Sequence, residues 1–398
     1  MAAPAGASAP SQGLWSFAAL TAVYFGFIGY FNPYLPLWLK ELGFGSLAIG
    51  LLTAVQSLTR VMAPYSWGWL SDHTGRRALL MRWAASLGLA SSLGLLLMPQ
   101  WVSPTVGIVG VVLFLMFFNT SAMMPMAEAA LAQRVTNPQG LDVARYGRVR
   151  VWGSVGFIVT VLVFGFVFER FGLSWFAVGT VALLGALVAV CWRLPSGTDG
   201  EHMGEPAPPL APVLARPAVR WFFVSVFFMI LAHVGLYAFF SLYLDELGYS
   251  KRVVGVLWAV SVAVEIVWFL VQGRWLVRWP LTWWMVGVCA VAALRFGATA
   301  AFGASLAVLV LAQVSHALTF ATHHTVCIAF INRHFADRLR GRGQALYSVL
   351  GYGLPGVVGG VAGGALGEAW GFASVFWAAA AMAMLAALAA WRVAQIER

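Results

Sequence analysis

Twelve apolar runs, each long enough to match the ~20 residues with which a helix crosses a bilayer, fill almost the whole 398-residue chain. They lie at 14–39, 47–70, 78–98, 104–133, 146–169, 174–194, 219–244, 252–273, 281–301, 305–332, 343–367 and 372–392. Lipid cannot satisfy backbone N–H and C=O groups, so runs of this length must close their hydrogen bonds internally, as helices. Composition agrees. The chain is 61% hydrophobic and 10% charged, where a soluble domain carries about 25% charged residues. The expected fold is an all-α, multi-pass integral membrane protein in contact with lipid.

Several function classes drop out on the same grounds. A nucleotide-driven pump needs G-x-x-x-x-G-K-[ST], but the lysines here are Lys40 and Lys251, and neither follows a glycine. The net charge of +10 would suggest nucleic acid in a soluble protein. Here the arginines lie mostly in short loops between apolar runs, where they set orientation, and no nucleic-acid partner is expected. Cys191, Cys289 and Cys327 sit inside apolar runs without C-x-x-C spacing, as packing residues and not as a disulfide or metal framework. No cofactor and no metal are expected, and no enzyme activity.

An even number of spans puts both ends on one side. The loops on that side hold Arg76, Arg77, Arg82, Arg134, Arg145, Arg148, Arg333, Arg338, Arg340 and Arg342 among others, whereas the opposite loops hold Lys40, Arg170, Lys251 and Arg252. Basic loops stay cytoplasmic, so both termini are expected in the cytoplasm, in a bacterial inner membrane. The start, Met1 to Gly13, has no basic segment of the kind that opens a signal peptide. A Pro- and Gly-rich polar stretch follows the sixth run. It divides the chain into an N-terminal six-helix bundle (1–194), a cytoplasmic linker (195–218) and a C-terminal six-helix bundle (219–398). Two pseudo-symmetric bundles around a central cavity are the plan of an alternating-access carrier.

The loop after the second run reads Gly68-x-Leu70-x-Asp72-x-x-Gly75-Arg76-Arg77. It resembles the loop between helices 2 and 3 of the major facilitator superfamily. The resemblance implies conformational gating: Gly68 and Gly75 would allow close approach, and Asp72, Arg76 and Arg77 would make charge contacts that hold one state and break in another. The loop after the eighth run, Gln272 to Pro280, is a degraded echo.

Charge inside the spans is scarce. Of the acidic residues only Glu128 and Glu265 fall well within apolar runs, with Arg60, Arg150 and Arg295. Each costs about 2.5–3.5 kcal/mol at a helix centre, so such residues face a cavity and pair. Arg60 is read as a snorkelling or structurally paired side chain; the other four are candidate site residues. Phe157 lies two turns beyond Arg150 on the same face, and Tyr30 and Asn32 belong to a proline-containing first run in which cavity lining and an interfacial aromatic belt are both open. Tyr30, Asn32 and Tyr34 can share one face only if the helix breaks near Pro33. His316, Thr319 and His323 fall at i, i+3 and i+7, and His233 is read as packing.

Pro125-x-x-Glu128 and the run Tyr146-Gly147-Arg148-Val149-Arg150 resemble the lactose permease branch, in spelling closer to its phenylpropionate permease and nucleoside symporter relatives. The resemblance implies substrate binding by Glu128, Arg150 and Phe157, the last standing where the lactose permease has tryptophan. It implies proton coupling by Glu265, Arg295 and His316. Thr319 stands where that permease has its proton-carrying glutamate, which leaves Glu265 as the expected carrier, since a buried carboxylic acid can hold or release a proton as its charged neighbours change. The expected function is proton-coupled symport of a small organic molecule, either a sugar or nucleoside or an aromatic carboxylate such as phenylpropionate, by a functional monomer. Proton-driven export of an amphiphile and a passive channel are the alternatives.

Overall fold

A computed structural model describes residues 11–101, 103–137, 140–195, 209–335 and 339–398. Among them are twelve helices long and apolar enough to span a membrane: α1 (Leu14–Glu41), α2 (Ser46–Ser71), α3 (Arg77–Leu97), α4 (Val106–Val135), α5 (Arg145–Phe171), α6 (Leu173–Trp192), α7 (Pro217–Glu246), α8 (Lys251–Val271), α9 (Leu281–Phe302), α10 (Leu306–His334), α11 (Arg340–Trp370) and α12 (Phe372–Ile396). Each apolar run of the sequence has its helix. The beginning of the chain (1–10) and most of the linker (196–208) lie outside the described residues, as does the side chain of Asp72. A two-residue antiparallel ladder, Thr136–Asn137 with Gly140–Leu141, sits between α4 and α5.

Local chemistry sets the helix ends. Asp142 accepts a hydrogen bond from Arg145 N at 2.9 Å and so caps the start of α5, satisfying one of the orphan donors there. Gly75 closes α2 in the left-handed region at φ 61°, where a side chain would be strained. Pro33 and Pro36 do not break α1, whose helix runs uninterrupted from Ser11 to Glu41. Tyr30 and Tyr34, one turn apart, therefore point together into the N-terminal half, and Asn32 points elsewhere.

α1 packs on α5, and α3 on α4 and α6. In the second half α12 packs on α7 and α9. Across the halves the seams are α2 with α11, α5 with α8, and α1 with α7. Glycine makes the first seam close. A Cβ at Gly364 would lie 2.7 Å from Ser46 O and 3.1 Å from Gly50 Cα, and one at Gly360 would lie 2.8 Å from Gly50 O. On the second seam a Cβ at Gly255 would meet Val161 O at 2.6 Å. The row Gly356, Gly360 and Gly364 is thus a packing device, as its spacing suggests. Gly68 is not: a Cβ there meets nothing within 4 Å, so the close approach expected of it is absent from this conformation.

Among the described residues, three polar contacts join the halves at one face, the one with the short loops. Lys40 Nζ donates to Asp245 Oδ2 at 2.7 Å. Leu47 N, at the start of α2, donates to Glu368 Oε2 on α11 at 2.9 Å. Lys251 N, at the start of α8, donates to Glu169 Oε2 on α5 at 2.8 Å. The last two are the same device used twice, a carboxylate on a helix N-terminus that it also suits electrostatically. Glu169-x-x-Gly172 and Glu368-x-x-Gly371 end α5 and α11, while Lys40-Glu41-Leu42-Gly43 and Asp245-Glu246-Leu247-Gly248 end α1 and α7. Lys40 and Asp245 hold equivalent places in the two halves and pair across the axis.

Candidate functional site

Between the halves lies a cavity of about 320 Å³, lined by α1, α2 and α5 on one side and α7, α8, α10 and α11 on the other. Its walls combine apolar and aromatic side chains with a few polar groups, the usual build of a small-molecule site. Phe25, Phe157, Tyr237, Trp258, Phe320 and Tyr352 supply the rings; Arg60, Arg150 and Glu265 supply the charge.

On the N-terminal side, α5 presents Arg150 and Phe157 two turns apart, with Gly153 between them. A Cβ at Gly153 would come within 2.7 Å of the Phe25 ring and 2.9 Å of the Arg150 guanidinium, so glycine is what lets both reach the cavity. The Arg150 guanidinium lies 4.3 Å from the Phe25 ring centre, within cation–π range. Its Nε is 3.6 Å from Glu128 Oε1. Glu128 stands behind Arg150 from α4 and is not itself among the lining residues. Asn32 lines the cavity and accepts a hydrogen bond from Gln56 Nε2 at 3.2 Å.

Tyr30 does not belong there. It is fully buried, stacked on Phe176 with its hydroxyl bonded to Phe176 O. Expecting it at the site overlooked that α1 passes Pro33 unbroken. Tyr30→Phe should leave substrate uptake unchanged and cost about 1 kcal/mol of stability, because Phe176 O keeps its second donor, Thr180 Oγ1, at 2.9 Å. Uptake and melting temperature measured side by side check this, and loss of uptake would return Tyr30 to the site.

On the C-terminal side the charged residues form a relay from the cavity wall inward. Glu265 Oε2 faces His316 Nε2 at 4.0 Å. His316 Nδ1 is 3.0 Å from an Arg295 guanidinium nitrogen. A guanidinium only donates, so Nδ1 accepts and the His316 proton sits on Nε2, toward Glu265. Arg295 is 5% exposed and also donates to Thr319 Oγ1 at 3.0 Å and Gln313 Oε1 at 3.3 Å. It lies behind His316, away from the cavity surface.

His233 belongs to this cluster, contrary to its reading as packing alone. Its Nδ1 donates to Met229 O at 2.8 Å, which leaves Nε2 to accept from Thr319 Oγ1 at 3.4 Å. His323 does not: its neighbour is Cys327 Sγ at 3.6 Å. A π-helical stretch, Ala317–Thr322, turns α10 out of the register on which the shared face with His316 was based. A second one, Ser348–Gly353, interrupts α11 beside the cavity. Such insertions recur at functional sites. Arg76 is exposed in the loop after α2, and Arg77 packs at the start of α3.

Twelve spans in two interlocked halves around a charged and aromatic cavity define a transporter of the major facilitator fold. The MFS_1 like family matches residues 14–378, and the chain belongs to that family. It is 26% identical over 336 residues to a probable 3-phenylpropionic acid transporter of Escherichia coli (strain K12), covering 83% of this chain and 85% of the relative. It is 24% identical over 335 residues to a maltose permease of Geobacillus stearothermophilus, covering 83% and 82%. Among solved structures, a mutant of the nucleoside transporter NupG superposes with a TM-score of 0.82 at 17% identity, over 96% of this chain and 99% of that one.

Proposed function

We propose that the protein is a proton-coupled symporter for a small aromatic carboxylate of the phenylpropionate class. The halves 1–194 and 219–398 would rock about the cavity, tethered by 195–218, with both termini in the cytoplasm of a bacterium and the monomer as the working unit. One observation carries the substrate class: the cavity wall holds two arginines against one carboxylate, surrounded by aromatic rings. Phe157, Trp258 and Tyr237 form a file of rings with centroids 6.4 and 6.2 Å apart, spacings at which an aromatic guest can stack or meet edges. The probable 3-phenylpropionic acid transporter among the relatives supports the same class. Protons would enter through Glu265, with His316 and Arg295 sensing its charge.

A sugar or nucleoside is the second reading. It is favoured by the Asn32–Gln56 amide pair in the wall and by Glu128 beside Arg150, groups that suit hydroxyls.

A thermal-shift screen of the purified protein with 3-phenylpropionate, other aromatic acids, nucleosides and galactosides separates the two. A ligand at 100 times its Kd adds about 2.7 kcal/mol to the folded state, so aromatic acids should raise the melting temperature by roughly a degree or more. Stabilisation by nucleosides or galactosides with none by aromatic acids would reverse the order of the readings.

A further inference from the structure

α2 turns a polar stripe toward the cavity. Thr53, Gln56, Ser57 and Arg60 fall at i, i+3, i+4 and i+7, the spacing of one helix face, and all four line the cavity. Arg60 stands near mid-span, where a charge is costly unless something answers it. Among the described residues it has neither a carboxylate within ion-pair distance nor a hydrogen-bond acceptor. The other two membrane arginines are occupied. Arg150 has Glu128 at 3.6 Å and the Phe25 ring beneath it. Arg295 is buried and spends its donors on His316, Thr319 and Gln313. Gln56, one turn from Arg60, gives one amide hydrogen to Asn32 and keeps a second for a ligand.

We propose that Arg60 anchors the carboxylate of the substrate, with Gln56 beside it, while Arg150 stays with Glu128 and the ring file of Phe157, Trp258 and Tyr237 takes the aromatic end. This assignment rests on the reading of the substrate as an aromatic carboxylate. A guanidinium and a carboxylate match in a planar, bidentate way, and an arginine without a protein partner offers that match without first giving up a bond. The site thereby selects for an anion at one end and a ring at the other.

The test compares binding of 3-phenylpropionate, its neutral isostere 3-phenylpropanamide, and hexanoate to the full-length protein and to R60Q, R60K and R150Q. The wild type should prefer acid to amide at least tenfold. R60Q should weaken acid binding roughly 10- to 100-fold, the range set by a hydrogen bond to a charged group, and leave amide binding within about threefold, which also shows that the variant is folded. R60K should fall between, and R150Q should keep the acid-to-amide ratio. An R60Q protein that retains the preference, or an R150Q protein that loses it, overturns the assignment while leaving the aromatic-carboxylate reading intact. Arg60-dependent binding of hexanoate with no binding of 3-phenylpropionate keeps the anchor and overturns the aromatic reading. A wild type that binds no carboxylate overturns both.

Discussion

In a Glu265→Gln protein, adding substrate to proteoliposomes or cells should no longer alkalinise the external medium, and accumulation should be lost, reaching inside equal to outside in proteoliposomes held at zero membrane potential, while exchange of labelled for unlabelled substrate continues. Glu265 is the acid on the cavity wall, where substrate and water can reach it. His316 is poorly placed to carry the proton in this state, because its Nδ1 is engaged by Arg295 at 3.0 Å and a second proton there would meet a guanidinium. Thr319 has no ionisable group to offer. Glutamine keeps the size of the side chain and its hydrogen bonding but cannot exchange a proton, so the substrate would move without a coupled ion. For one proton per monoanion the cycle is electroneutral, and the wild type should accumulate about tenfold per unit of pH gradient, about 1.4 kcal/mol being a factor of ten. The membrane potential should have no effect on that ratio. Alkalinisation that survives in Glu265→Gln would move the coupling proton to another group.

The spans and their boundaries were legible because lipid leaves a chain of this composition no alternative to helices. The run read at 14–39 became Leu14–Glu41, and the one at 174–194 became Leu173–Trp192. The pairing of Glu128 with Arg150, and the neighbourhood of Glu265, His316 and Arg295, followed from the cost of isolated charge in a membrane together with the family likeness. Misplaced residues trace to helix geometry. Tyr30 was tied to a break at Pro33, but neighbouring helices can absorb a proline within a continuous span. His323 was placed with His316 on a regular period, which the π stretch Ala317–Thr322 shifts, and nothing in its composition marks it. Arg60, read as a snorkelling or structurally paired side chain, lines the cavity with Thr53, Gln56 and Ser57, four residues whose spacing already places them on one helix face in the sequence. The repeated Glu-Leu-Gly at the ends of α1 and α7 shows the internal symmetry more plainly than the loops after α2 and α8.

That symmetry makes the short-loop face a closure with two equivalent seams, and filling one should hold it open. Gly364→Leu places a Cβ 2.7 Å from Ser46 O and 3.0 Å from Leu47 Cα. These are backbone atoms of α2 that cannot turn aside, so α2 and α11 must separate. Separation at this level pulls Leu47 N from Glu368 and strains the Lys40–Asp245 pair, both close to the clash. Overpacking costs about 1–3 kcal/mol, which moves an equilibrium between closed and open forms by a factor of roughly 5 to 150. Transport requires both forms in turn, so uptake should drop at least about fivefold while ligand binding persists. Gly287→Leu, where a Cβ meets nothing within 4 Å, serves as the control and should keep near-normal uptake. Because Cys191, Cys289 and Cys327 are buried, an added Asn32→Cys reports access to the cavity. A membrane-impermeant maleimide supplied from the short-loop face should label it at least about fivefold faster in Gly364→Leu than in the Gly287→Leu control. Equal labelling rates with uptake lost would mean that the substitution damages the fold and does not open this face.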